Sequence, residues 1–64
     1  MTKAKAIQQA KKAHRKTGDD YFVFRDDDRR GGHDYCSERE YYHGSCQWVK
    51  PEEVVYHTAE GYYQ

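Results

Sequence analysis

Residues 33 to 46 read HDYCSEREYYHGSC, and this stretch contains the pattern His-x-x-Cys twice. The two copies are His33 with Cys36 and His43 with Cys46, and six residues separate them. At this spacing a ring nitrogen and a sulfur can reach one metal ion from a single turn of the chain. Two imidazoles and two thiolates form a closed tetrahedral set for Zn²⁺. The spacing therefore predicts a structural zinc ion, held by these four side chains in a zinc-knuckle-like loop over residues 33–46.

The two cysteines also permit a second interpretation, which is a Cys36–Cys46 disulfide or two unpaired thiols in a core. Residues 1 to 20 contain no hydrophobic run of the kind found in a signal peptide. We therefore expect the chain to be located in a reducing cytoplasm. There, closely spaced cysteine and histidine residues indicate metal binding rather than a disulfide. The sequence also lacks a run of about 18 apolar residues, so we expect no membrane partner.

The composition explains why a metal would be useful to this chain. Only 36% of its 64 residues are hydrophobic and 34% are charged, whereas it has seven tyrosines, two phenylalanines and one tryptophan. The core is therefore expected to be mostly aromatic, built on Tyr21 to Phe24 together with Trp48 and Val49. Domains of this size usually need a metal or a disulfide in addition to their core. Since no linker divides the sequence, we expect one zinc-binding domain over residues 1–64.

Local signals predict a helix over residues 3–16, which are helix formers almost throughout, with Thr2 as N-cap and Gly18 just past the end. Small and apolar residues recur on one face of this helix, at Ala6, Ile7, Ala10, Ala13 and His14. The aromatic and β-branched residues 21–25 predict a strand, and the polar run 26–32 predicts the turn of a hairpin.

Further along, the S-x-x-E pattern from Ser37 to Glu40 is a capping box and predicts a short helix over residues 38–43, ended by Gly44. Residues 47–49 and 54–56 predict short strands, and Pro51 between them predicts a helical turn. Residues 57–64 show no clear pattern, and a flexible tail is one interpretation. The sequence thus predicts a small α+β module, with the N-terminal helix packed on an antiparallel sheet of two or three strands.

The N-terminal helix offers a contact surface for nucleic acid because it is basic and contains no acid. Its candidate contacts are Lys5, Lys12, Arg15 and Lys16. However, the formal net charge of the chain is zero at pH 7, and a dedicated nucleic-acid binder is usually strongly basic. A surface helix also favours lysine without any partner.

The tyrosines suggest a different partner, another protein, because aromatic side chains are enriched in protein interfaces. Tyr62 and Tyr63 are the candidate contacts, although a small aromatic core also explains most of the tyrosines. His14 and His57 are either substitute zinc ligands or ordinary packing residues. We do not expect an enzyme or a small-molecule substrate, because four side-chain ligands leave no open position on the metal.

Two segments of the chain carry a resemblance to a known family. They are GDDYFVFR at residues 18–25 and RRGGHDYC at residues 29–36. Together they resemble the short zinc-binding proteins of lambdoid prophages, of the YdaE type, and the similarity runs from the first helix to about Val49. The resemblance implies a zinc-binding accessory protein of bacterial or phage cytoplasm, with the four residues of the doubled pattern as ligands.

Two hypotheses about function follow. The first is a small zinc-stabilised module that binds a host or phage protein through its aromatic surface or its helix. The second is a zinc-stabilised module that binds nucleic acid through the basic helix. A steep loss of binding as the salt concentration rises would favour the second, since each phosphate contact releases a counterion.

Overall fold

The computed structural model of the chain describes residues 1–26 and 32–63. They form two helices, four strands and one short 3₁₀ helix. In chain order the elements are α1 Lys3–Thr17, β1 Tyr21–Arg25, β2 His33–Ser37, α2 Glu38–His43, the 3₁₀ helix Pro51–Glu53, β3 Val54–His57 and β4 Gly61–Tyr62. The turn expected between β1 and β2 lies largely outside the described residues, which resume at Gly32.

Helix α1 begins and ends where its capping residues predict. The side chain of Thr2 accepts a hydrogen bond from the Lys5 backbone N–H at 3.2 Å, which satisfies one of the unpaired donors at a helix start. At the other end Gly18 has φ 81°, and its N–H donates to the His14 carbonyl at 2.8 Å. This left-handed conformation is the usual glycine cap, because a Cβ is disfavoured there.

The strands form one antiparallel sheet in the order β2-β1-β3-β4. The hairpin of β1 and β2 is confirmed, with Phe22 opposite Cys36 and Phe24 opposite Asp34. The sheet has more strands than predicted because the C-terminal segment belongs to it. β3 extends through His57, and β4 pairs with it, so part of the segment that showed no clear pattern in the sequence belongs to the sheet.

Two buried clusters lie on opposite faces of the sheet. Helix α1 covers the first face with Ala6, Ile7 and Ala10 of its predicted stripe, whereas Ala13 and His14 are only half-buried. That cluster, the α1 face, consists of Ala6, Ile7, Ala10, Val23, Val55 and Tyr56. The other face, the α2 face, carries Phe22, Phe24, Cys36, Val49 and Val54, with Tyr41 and Cys46 packed against them. Burial on both faces explains why the three central residues of β1 and all four residues of β3 are buried.

An irregularity in the pairing of β1 with β3 distributes β3 between the two clusters. Val23 pairs with Tyr56 and Phe24 with Val54, so Val55 is the extra residue of a β-bulge. Consequently Val55 and Tyr56 both join the α1 face, although they are adjacent in the chain, while Val54 joins the α2 face.

Helix α2 has the bounds that the capping box predicts. Ser37 Oγ accepts from the Glu40 N–H at 3.2 Å, and the Glu40 carboxylate accepts from Ser37 Oγ at 3.2 Å. The following segment differs from the prediction, since residues 45–48 form a turn rather than a strand. Val49 is buried as expected, but Trp48 is 53% exposed, although its ring makes an edge-to-face contact with Phe24.

No helix within the described ranges is both long enough and apolar enough to cross a membrane.

Candidate functional site

Of the four predicted zinc ligands, the structure brings the two cysteines together. Cys36 lies on β2 and is 3% exposed, and Cys46 lies half-buried in the turn after α2. Both are free thiols, and their side chains are within hydrogen-bonding range of each other. Burial raises the pKa of Cys36 far above its usual range, and the neighbouring Cys46 raises it further. The Cys36 thiol is therefore protonated at neutral pH.

The structure places His33 and Cys36 on opposite faces of the sheet, whereas their spacing suggested that both could reach one metal ion. Both residues lie on β2, where alternate side chains point to opposite faces. Tyr35, two residues from His33, packs on the α1 face, whereas Cys36 belongs to the α2 face. Two side chains three residues apart can bind the same metal ion when they lie in a turn. In a strand they point to opposite faces of the sheet. The predicted knuckle-like loop over residues 33–46 is thus β2, α2 and a turn.

His43 is exposed at the end of α2, and its ring lies 6.5 Å from that of Tyr42, between centroids. Within residues 1–26 and 32–63, only Asp20, Glu38 and His57 form a group of three or more His, Cys, Asp or Glu residues whose ligand atoms lie within 4.8 Å of one another. The predicted zinc set is therefore not assembled as four converging donors. A closed zinc site needs four of them, and the described geometry supplies two.

The cluster around His57 was not predicted as a unit, because its members lie far apart in the sequence. His57 is 3% exposed, and its Nε2 lies 3.1 Å from a carboxylate oxygen of Glu38. Its Nδ1 accepts the backbone N–H of Ala59 at 3.3 Å, which places the ring proton on Nε2, directed at Glu38. The imidazole thus uses both nitrogens in hydrogen bonds.

Asp20 completes this cluster through a second set of hydrogen bonds. Its carboxylate accepts from Thr58 Oγ1 at 3.2 Å, and Thr58 Oγ1 in turn accepts from the Tyr21 N–H at 2.9 Å. The side chains therefore join the loop before β1, the start of α2 and the end of β3. We interpret the cluster as a satisfied structural network.

A groove lined by aromatic side chains lies on the α2 side of the sheet. We call it the tyrosine groove. It has a volume of about 290 Å³ and is lined by Phe22, Glu38, Tyr41, Tyr42, Pro51, Val54, Glu60 and Tyr63. Tyr42 and Tyr63 are 57% and 43% exposed, although both are large aromatic residues. Tyr63 was a candidate contact from sequence, but the groove itself joins segments that no local pattern connects.

The rings of the tyrosine groove are held in position by one another. Phe22 lies 4.5 Å from Tyr41 and 6.0 Å from Tyr42, between centroids. Tyr41 and Tyr42 are themselves in edge-to-face contact at 5.0 Å. Tyr63 stacks on the ring of His57 at 6.4 Å. Such contacts add to the burial energy and fix ring orientation, so the groove has a defined shape.

The tyrosine groove also has a negative electrostatic character. The Tyr63 hydroxyl donates to Glu60 Oε2 at 2.8 Å. Partial burial raises the pKa of Tyr63 to about 12, together with the Glu60 hydrogen bond and the charges of Glu60 and Glu38. Burial also raises the pKa of Tyr41, with a further contribution from Glu52. The neighbouring carboxylates disfavour a further negative charge in the groove.

The opposite side of the molecule is basic. The four predicted contact residues, Lys5, Lys12, Arg15 and Lys16, are all exposed on α1. Two other lysines lie over aromatic rings, with Lys3 Nζ 5.9 Å from the Tyr62 centroid and Lys11 Nζ 5.7 Å from that of Tyr56. Positive charge is therefore concentrated on α1, although the formal net charge of the chain is zero.

Comparison of the chain with protein-family models, with curated protein sequences and with solved structures gives no match. Membership of the prophage family therefore stays a prediction.

Proposed function

We propose that this chain is a small protein-interaction module that binds its partner through the tyrosine groove. The observation that carries the proposal is the exposure of Tyr42 and Tyr63 around a concave surface whose floor is the buried ring of Phe22. Tyrosine supplies a large, rigid contact area with few rotatable bonds and is enriched at interfaces. The resemblance to prophage proteins supports a host or phage protein as the partner.

Zinc binding is a separate proposal, with Cys36 and Cys46 as the thiolate donors. Their proximity supports it, and His33 and His43 remain the predicted imidazole donors. Since the described residues bring the two thiols together but do not add the two imidazoles to them, recognition of a partner is proposed independently of the metal. Two thiolates on one ion would link β2 to the turn after α2.

Site-specific photocrosslinking tests the interaction proposal. A photoreactive phenylalanine analogue replaces Tyr42 in one variant and Tyr62 in another, and both are expressed in bacteria. Tyr62 is the matched control because it is an exposed tyrosine, at 65%, whose ring contacts Tyr56 and Lys3 and does not line the groove. We expect a crosslinked protein from position 42 that excess unmodified chain competes away, and none from position 62. Equal crosslinking from both positions would contradict the proposal.

The basic helix supports a second candidate function, contact with nucleic acid. Its specific support is the exposure of all four predicted cations on a helix without acidic residues. Lys5 lines a surface with the ring of Tyr62, and Lys12 and Lys16 line one with Tyr35. Fluorescence anisotropy with short DNA and RNA, at about 50 and 200 mM salt, tests it. This function predicts binding that weakens steeply with salt and that the double variant Lys12→Gln, Lys16→Gln reduces at the lower salt concentration.

A further inference from the structure

We propose that the tyrosine groove recognises a positively charged side chain, arginine or lysine, in a basic segment of the partner protein. This inference rests on the proposed interaction function and specifies the chemistry of the partner. It follows from three properties of the groove: its size, its carboxylates and its uncovered rings.

The size of the groove suits a single side chain. Ligand pockets for whole small molecules usually have volumes of about 300–1,000 Å³, and this groove, at about 290 Å³, lies just below that range. It is formed by a buried ring, Phe22, below and by two partly exposed rings, Tyr42 and Tyr63. The long apolar stem of an arginine or lysine packs well against such walls while its charged end stays near water.

Two carboxylates in the groove provide the matching negative charge. Glu38 accepts a hydrogen bond from His57, and Glu60 accepts one from Tyr63. A carboxylate has about four acceptor positions, so each keeps capacity for a further donor. Within residues 1–26 and 32–63, the ion pairs of these two carboxylates include no lysine or arginine. A cation from outside would therefore gain charge-assisted hydrogen bonds.

The aromatic rings add a second attraction for a cation. A lysine or arginine within about 6 Å of a tyrosine centroid is attracted by the negative face of the ring. The α1 side of this protein already uses that contact, since Lys3 lies over Tyr62 and Lys11 over Tyr56. In the described part of the chain no such cation lies over Tyr42 or Tyr63, so the rings of the groove remain available to a partner.

The charge of the ligand can be tested with a matched pair of peptides. The probe is the peptide Gly-Gly-Arg-Gly-Gly with blocked ends, and its control contains citrulline, a neutral isostere, in place of arginine. Binding is followed by NMR through the resonances of Tyr42 and Tyr63. We expect the arginine peptide to bind at least about fivefold more tightly than the citrulline peptide. Equal binding of the two peptides would overturn the proposal.

Variants of the chain locate the binding surface. We expect Tyr42→Ala and Glu60→Gln each to weaken binding of the arginine peptide by about threefold or more, because the first variant lacks an aromatic ring and the second lacks a negative charge. Tyr42→Phe should retain binding since it keeps the ring, and Tyr62→Ala serves as the control because the Tyr62 ring contacts Tyr56 and lies outside the groove. Circular dichroism of each variant verifies the fold. A loss of binding in Tyr62→Ala as large as that in Tyr42→Ala would contradict the assignment to the groove.

Two outcomes separate this inference from the proposed function. If position 42 crosslinks a partner but the citrulline peptide binds as well as the arginine peptide, the interaction function stands and recognition of a cation is wrong. If the purified chain self-associates, and Lys12→Glu with Lys16→Glu abolishes the association, the groove is occupied by α1 of a second copy. Sedimentation at low salt detects that self-association. It would overturn the proposal that the partner is a different protein.

Discussion

Cys36 and Cys46 place their thiols side by side, although one lies on a strand and the other in the turn that follows α2. Ser37 and Glu40 produce this proximity, since their reciprocal hydrogen bonds start α2 directly after β2 and so reverse the chain. The Cys46 N–H also donates to the Glu40 carbonyl at 3.1 Å. The pair therefore depends on the short helix between the two residues, which connects the cysteines to the capping box.

The two thiols are expected to differ in reactivity. Cys36 is buried and its pKa is raised, so it exposes little of the reactive thiolate near neutral pH. Cys46 is only half-buried. Limited treatment with iodoacetamide at pH 8, followed by mass spectrometry, should modify Cys46 before Cys36. In guanidinium chloride the difference should disappear, whereas faster modification of Cys36 in the folded chain would contradict the structure.

Zinc is expected to stabilise a fold that already exists without it, because buried clusters cover both faces of the sheet. At a free zinc concentration about 100 times its dissociation constant, binding would add about 2.7 kcal/mol to the free energy of unfolding. Thermal unfolding with zinc and with chelator measures the shift, and native mass spectrometry gives the metal content. Cys36→Ala and Cys46→Ala should each remove the zinc-dependent shift.

Three further variants, one of them a control, extend this zinc experiment to the histidines. If His33 and His43 are both ligands, His33→Ala and His43→Ala should each reduce the zinc-dependent shift, and His14→Ala should leave it unchanged. A chain that binds no zinc and shows no shift would contradict the metal prediction altogether.

His57 is expected to contribute strongly to stability. It is buried, contacts the ring of Phe22 at 4.5 Å between centroids, and binds Glu38. His57→Ala should lower the free energy of unfolding by about 2–4 kcal/mol, since it leaves a cavity and removes two hydrogen bonds. Glu38→Gln should lower it by less than about 1 kcal/mol, because the carboxylate is partly solvated.

Urea unfolding of both single variants and the double variant measures this coupling between His57 and Glu38. The double variant should lose less stability than the sum of the two single losses, because the contact can be broken only once. Strictly additive losses would mean that the hydrogen bond between the two residues contributes little.

Stability is expected to fall as the pH rises above about 9. The pKa values of Cys36 and Tyr63 are raised in the folded chain from 9.0 and 10.0, that of Tyr63 to about 12. The unfolded chain therefore releases these protons first and binds fewer of them, so the free energy of unfolding decreases with pH. Urea unfolding between pH 8 and 12 measures the decrease, and Tyr63→Phe should make it smaller. A flat profile would contradict the raised pKa values.

Gly44 is expected to tolerate no larger residue. A Cβ on Gly44 would lie 2.9 Å from the Glu40 Cα, a backbone atom that cannot move aside. Gly44→Ala should therefore destabilise the chain by about 1–3 kcal/mol and displace the turn that carries Cys46. Urea unfolding measures the loss, and Ser45→Ala, next to it in the same exposed turn, is the control. A Gly44→Ala variant as stable as the unmodified chain would contradict this close approach.

The sequence by itself determined the elements whose signals are local. Thr2 and Gly18 set the ends of α1, and Ser37 with Glu40 sets the start of α2, because a cap acts on backbone groups within one turn of the helix. The strand over residues 21–25 and the small-residue face of α1 follow from side-chain types that repeat at the period of each element. These signals need no knowledge of distant residues.

Only the tertiary structure decided which side chains meet. The pairing of β2 with β1 makes residues 33–37 a strand, and this alone separates His33 from Cys36 and leaves the zinc prediction with two adjacent thiols. The tertiary structure also decided that β4 joins the sheet, that Trp48 is exposed and that His57 contacts Glu38. In each case the partners are distant in sequence, and their meeting depends on strand register and helix placement. The tyrosine groove arises in the same way, because the strands, α2 and the C-terminal residues enclose it together.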